Sequence, residues 1–200
     1  MIELTQHDRL HKVINLAWDI LFRSIVSGRV PINKESSLQL HLSKIIFELG
    51  NLYCTQPEEH FIIEMESSYE NKSIDVVCSL GKVNAAIELK CFIKSSKRAA
   101  DLDMYDVLKD VERLENYKGF EIKKFLCLTD NKYYPETDQT GFAKSVSLKN
   151  GTVYSAGQEI VPGWAVIWKV KRDKAIVFNN DLICNWKSDV KWHYLSLDIV

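Results

Sequence analysis

Apolar residues return at steps of three and one near the start of the chain: Leu10, Val13, Ile14, Ala17, Trp18, Leu21, Phe22 and Ile25. That spacing keeps them on one face of an α-helix and predicts a helix over about 6–28 that stops at Gly28. After the turn at Pro31 the pattern resumes with Leu38, Leu42, Ile45, Ile46 and Leu49; Asn33 can cap this second helix and Gly50-Asn51 can end it. Glu35 falls in its first turn.

The period then shortens. Residues 60–67 (HFIIEMES), 73–80 (SIDVVCSL) and 83–93 (VNAAIELKCFI) have strand character, and their connectors, Tyr69 to Lys72 and Gly81-Lys82, are short and polar. An antiparallel meander follows from that arrangement. Leu102, Tyr105, Leu108, Val111 and Leu114 predict a further helix ended by Lys118-Gly119, and Phe125-Leu126-Cys127-Leu128 reads as a buried strand. From 131 to about 158, Pro135, Gly141, Gly151 and Gly157 break every periodicity, which predicts loops with one short hairpin. Trp164 to Val170 and Lys174 to Phe178 flank a turn at Lys171-Arg172-Asp173 and predict another.

The reading that results is one α/β domain (α+β mixed sheet) over 1–200. It has an α-β-β-β-α-β core over about 34–130, an N-terminal helix and a β-rich C-terminal extension over about 152–200.

Composition changes this picture little. With 46% hydrophobic and 26% charged residues the chain can build one sizeable core. No apolar run approaches the roughly 18 residues of a membrane span. The N-terminus MIELTQHDRLHK has no apolar centre of a secretory signal, so the expectation is a cytoplasmic protein without a membrane partner. A net charge of −1 gives no overall attraction to nucleic acid, which would need a local basic surface. The five cysteines are scattered without a CxxC pair and read as buried free thiols.

Candidate chemistry sits in the meander. Alternation puts Asn84, Ala86, Glu88 and Lys90 on one face of the third strand, and Asp75 shares that face if the second strand pairs with it. Phosphodiester hydrolysis needs positive charge at the non-bridging oxygens and an activated water, and a hard divalent ion supplies both. Two converging carboxylates hold Mg²⁺ while leaving it several waters. A lysine two residues after Glu88 adds a cation beside the developing charge. The bare pattern of acid, any residue and Lys recurs at Glu70, Glu121, Asp130 and Asp189, so the tripeptide means little alone. What distinguishes Ile87-Glu88-Leu89-Lys90 is an otherwise apolar strand holding two charges, beside a strand holding a third.

SIDVVCSL followed by VNAAIELK resembles the signature of the PD-(D/E)XK nuclease superfamily, and the α-β-β-β-α-β order is similar to its restriction-endonuclease-like core. Ser73-Ile74-Asp75 departs from it by lacking the proline of the name. The resemblance implies that Asp75 and Glu88 ligate Mg²⁺, with Mn²⁺ able to substitute. It further implies that the Leu89 carbonyl contacts the metal, that Lys90 positions or activates water, and that Glu35 is the helical glutamate near the metal, with Glu48 a weaker competitor. The function so implied is a metal-dependent endonuclease acting on DNA, of a restriction, defence or mobile-element kind, in a size that suits a homodimer. RNA stays open as a substrate, and the alternative is a catalytically inactive module of the same fold that binds nucleic acid or a protein.

Structural readings stand beside these. Asp75, Glu88 and Lys90 can form a cross-strand ion pair on a solvated face, and Glu35 can simply favour the positive end of its helix. Lys94, Lys97 and Arg98 can grip phosphates or line a plain loop. His7 and His11, spaced i, i+4, have no third ligand in view and read as surface residues. Trp186-Lys187 and Lys191-Trp192-His193-Tyr194 offer stacking groups for unpaired bases or, as the stronger reading, packing of the β-rich tail.

Overall fold

The computed structural model describes residues 4–96, 99–161, 172 and 174–200. Among these the chain is mixed α/β, with five helices and a mixed sheet of six strands. Helix α1 spans Gln6–Val26 and α2 Glu35–Leu52; strands β1 (Phe61–Tyr69), β2 (Lys72–Leu80) and β3 (Val83–Phe92) follow. Then come α3 (Ala100–Glu115), β4 (Ile122–Thr129) and the one-turn helices α4 (Tyr133–Glu136) and α5 (Phe142–Ser145). Strand pairs β5 (Val153–Tyr154), β6 (Glu159–Ile160), β7 (Ile176–Val177) and β8 (Leu182–Ile183) precede the hairpin β9 (Trp186–Asp189) and β10 (Trp192–Ile199). The six-stranded sheet runs β1-β2-β3-β4-β10-β9.

Two compact units divide the chain: Met1–Cys91 with Tyr117–Lys124, and Phe92–Asn116 with Phe125–Val200. In the first, Thr5 caps α1 by accepting the Asp8 N–H while the Asp8 carboxylate accepts the Thr5 N–H, a reciprocal arrangement that satisfies two orphan donors. Leu10, Val13, Ile14, Ala17 and Leu21 are fully buried, as the helical spacing requires. Helix α2 starts differently from the expected Asn33 cap. Lys34 is the boundary residue, and the Ser37 hydroxyl reaches back to accept the N–H groups of Asn33 and Lys34. Capping from inside the helix uses contacts that a search for a preceding Asn does not weigh.

The strands form the antiparallel meander their connectors predict, with Tyr69 opposite Lys72 and Leu80 opposite Val83. Gly81 turns the second hairpin at φ +61°, a conformation that favours glycine. Gly50 lets α2 approach β1 so closely that the Phe61 ring occupies the place of a Cβ. At the start of α1 the buried Arg9 guanidinium makes a two-pronged pair with Glu59 at 2.5 and 2.7 Å and also donates to the Tyr53 carbonyl and the Thr55 hydroxyl.

In the second unit α3 buries Met104, Val107, Leu108, Val111 and Leu114, and Tyr134 donates to Asp103 at 2.9 Å. The two-residue strands pair as β5 with β8 and β6 with β7. Residues 131–158 therefore hold two single-turn helices and the strand β5, which pairs with β8. The first arm of the hairpin expected at Trp164 to Val170 lies outside the described residues. Four of the five cysteines are buried and Cys54 is partly so, all of them free thiols. Among the described residues no helix is long and apolar enough to cross a membrane.

Candidate metal centre

β2 and β3 part company where the charges sit. Their register pairs Cys78 with Ala85 and ends at Val76 with Ile87, although β2 starts at Lys72 and β3 runs on to Phe92. One step beyond the last pair, Asp75 falls opposite Glu88, and residues opposite one another in an antiparallel pair project from the same face.

In this fork the N–H groups on one edge of β3 find carboxylates instead of a strand. Leu89 donates to Asp75 Oδ2 at 2.6 Å, and Cys91, two residues on and so pointing the same way, donates to Glu35 Oε2 at 3.1 Å. Glu35, the first residue of α2, is thus brought to the strand that carries Glu88 and Lys90, while Glu48 is exposed on that helix.

Glu88 is 2% exposed, and its Oε1 accepts the phenolic O–H of the buried Tyr117 at 3.0 Å. The Asp75 and Glu88 carboxyl groups lie within hydrogen-bonding reach of one another, with Lys90 and Glu66 in electrostatic range of Asp75. Burial pushes the Asp75 carboxyl above its ordinary value, against the pull of the Leu89 N–H and the Lys90 charge. The Lys90 ammonium rests 3.1 Å from the Leu89 carbonyl oxygen.

Two close carboxyls in a desolvated fork repel unless a proton or a cation lies with them. The oxygens gathered here, two carboxylates and the Leu89 carbonyl, are hard donors of the kind Mg²⁺ and Mn²⁺ take. Among the described residues no three His, Cys, Asp or Glu side chains form a ready-made cation cage. Mg²⁺ does not require one, since it keeps several waters and is commonly held by one or two carboxylates. The donor set fits such an ion.

Three residues at this site escaped the sequence reading. Gln39, one helical turn after Glu35, donates from Nε2 to the Asp75 carbonyl at 2.7 Å and to Glu66 Oε1 at 2.8 Å. Glu66 takes a second bond from the Ser73 hydroxyl at 2.7 Å. The Ser73 and Gln39 donors and the Lys90 charge hold the Glu66 carboxyl below its ordinary value. Tyr117 is the third. Only Glu66 had a usable signal: the tight turn that sets Tyr69 against Lys72 also sets Glu66 against Asp75 by counting back along both strands.

The remaining candidates have other surroundings where the structure describes them. Lys94 is exposed in the 3₁₀ turn Lys94–Ser96, and its backbone N–H donates to Asp130 at 2.6 Å; Lys97 and Arg98 lie outside the described residues. The His7 and His11 rings stack with centres 6.2 Å apart, His7 exposed. Trp186 is 9% exposed and its indole N–H donates to the Leu148 carbonyl at 2.6 Å, so it serves packing. Lys187 and Lys191 cover the rings of Tyr194 and Trp192 at 5.4 and 5.1 Å. Trp164 and Trp168 lie outside the described residues.

Comparison with protein-family models, with curated proteins and with solved structures found no match to this chain.

Proposed function

We propose that the chain is a metal-dependent endonuclease that hydrolyses phosphodiester bonds in DNA, built on a restriction-endonuclease-like core of the PD-(D/E)XK kind. The observation that carries this reading is the fork after Val76–Ile87, where Asp75 meets Glu88 and Lys90 while Glu35 closes the same edge of β3. The order α2-β1-β2-β3-α3-β4 supports it, being the order of that core.

Asp75 and Glu88, with the Leu89 carbonyl, are the groups that would hold Mg²⁺ or Mn²⁺. The bound ion supplies charge neutralisation at the scissile phosphate and a water of lowered pKa. The chain's own residues then have separable tasks. Tyr117 fixes one oxygen of Glu88 and with it the orientation of the carboxylate. Asp75 is oriented by the Leu89 N–H. The Lys90 ammonium orients the attacking water and offsets the charge that develops on the phosphorane oxygens. Glu35 lies beyond Lys90 on the β3 edge, where it can take a proton or orient a second water.

The test is cleavage by the full chain and by Glu88→Ala and Lys90→Ala. Supercoiled plasmid, single-stranded DNA and RNA serve as substrates, in Mg²⁺, in Mn²⁺ and in chelator. Metal-dependent cutting by the wild type alone, with DNA preferred, is expected. A folded wild type that binds nucleic acid or a protein but cuts nothing would replace this reading with the inactive-module one. Preference for RNA would keep the chemistry and change the substrate.

A further inference from the structure

Asp75 is held through its main chain as well as its carboxylate, and the main-chain hold is unusual. The β1–β2 register pairs Met65 with Val76 and Ser67 with Ile74, but Glu66, which faces Asp75 between them, has φ +54°. That left-handed conformation is unfavourable for a residue with a Cβ and persists only where its surroundings hold it. They do so here: Gln39 and Ser73 each donate to one of the two Glu66 carboxylate oxygens.

The second hydrogen of the same Gln39 amide goes to the Asp75 carbonyl. An amide nitrogen has two hydrogens, and both are committed to groups that only accept, which fixes the orientation of the side chain. On the other side, β3 has already left β2, so its ladder no longer restrains Asp75. Helix α2 thus reaches both arms of the fork from one face: Glu35 to β3 at Cys91 and, one turn on, Gln39 to β2 at Asp75.

We infer that Gln39, braced by the strained Glu66, is a positioning residue for the metal centre. It fixes the Asp75 backbone so that the carboxylate meets the Leu89 N–H and comes within reach of Glu88. The functional meaning of this clamp rests on the nuclease reading, but its geometry is testable without metal or substrate. A side chain that merely fills space would loosen the whole packing of α2 when replaced. The clamp loosens one amide in particular.

The experiment compares wild type and Gln39→Met as full chains by residue-resolved amide exchange in chelator, then by calorimetric titration with Mn²⁺. Leu89 is expected to exchange roughly tenfold faster in Gln39→Met, with Cys91 unchanged, because only the Asp75 arm is released. The Mn²⁺ affinity is expected to fall about tenfold, as for loss of a group that orients a metal ligand. Equal Leu89 protection and equal Mn²⁺ affinity in a folded Gln39→Met overturn the inference. If that variant fails to fold, Ser73→Ala, which withdraws only a hydroxyl from the brace, decides. A smaller acceleration at Leu89 supports the clamp, and unchanged exchange refutes it. A wild type that binds no Mn²⁺ and cuts nothing refutes the nuclease reading itself. An unchanged Leu89 amide in a variant of a metal-binding, cutting wild type refutes only the role of Gln39.

Discussion

Two buried acidic clusters in the same unit show how differently carboxylates can be housed. Glu59 is surrounded by donors: the Arg9 guanidinium, the Gln6 amide and the N–H groups of Thr55 and Gln56. These hold its carboxyl far below the ordinary range. Asp75 has one strong backbone donor and faces a second carboxyl, and burial drives its carboxyl the other way. The first cluster has all its charge answered inside the fold, which is how a structural ion pair is built. The second sets two carboxyls side by side in the fork, with Lys90 in electrostatic range of Asp75, a grouping that makes it the candidate binding site.

Substitutions should separate the two clusters, most sharply in catalysis. Glu88→Ala or Lys90→Ala is expected to lower the cleavage rate by at least about a hundredfold, in line with removal of a group acting on the transition-state charge. Arg9→Met is expected to leave the rate per folded molecule unchanged. In thermal denaturation the order reverses. Arg9→Met strands Glu59 as a buried carboxylate and lowers Tm markedly, whereas Asp75→Asn removes a repelling charge and holds or raises Tm. A site substitution that unfolds the protein while Arg9→Met is silent would invert the assignment.

The pH dependence of stability in chelator carries opposite signs for the two. The folded-state pKa of Glu59 is depressed, so its contribution is complete above the ordinary glutamate value and fades as pH falls below it. The folded-state pKa of Asp75 is raised, so the folded state holds that proton more tightly. Stability then falls as pH rises from the ordinary aspartate value through the raised one. Denaturation of Glu59→Gln and Asp75→Asn between pH 3 and 8 should accordingly show a deficit that begins to shrink only at the acidic end and a gain that vanishes on acidification, respectively.

Tyr117→Phe is the mildest probe. It keeps the ring, whose centre lies 4.6 Å from that of Tyr69, and deletes only the hydroxyl that holds Glu88. A loss of about tenfold in Mn²⁺ affinity is expected, with little change in Tm. Equal affinity would mean that Glu88 is positioned by the strand alone.

What the sequence revealed about these regions depended on range. α1, α2, the meander, α3 and β4 follow from local period and turn chemistry, which residues close in the chain determine. The order β4-β10-β9 in the sheet does not, because Trp192–Ile199 reads only as an aromatic, basic tail until its neighbour is known. Asp75, Glu88 and Lys90 stood out as charges in apolar strands, and Glu35 only through the resemblance to the nuclease signature. Gln39 and Tyr117 are ordinary polar residues on helical or loop sequence whose roles exist only through contacts with strands far away in the chain. Alternation also marked β3 poorly, since the strand is buried on both faces from Ala85 through Leu89.

The central claim is the proposal that the Asp75–Glu88 pair holds a cation. The most direct measurement is the Tm of wild type and Asp75→Asn in chelator and in saturating Mg²⁺ or Mn²⁺. The account predicts that the ion stabilises the wild type, by about 2.7 kcal/mol at a hundred times its dissociation constant. It predicts that Asp75→Asn melts no lower than the wild type in chelator and gains little from the ion. A wild-type Tm indifferent to both ions, or an equal rise in the two proteins, would contradict it.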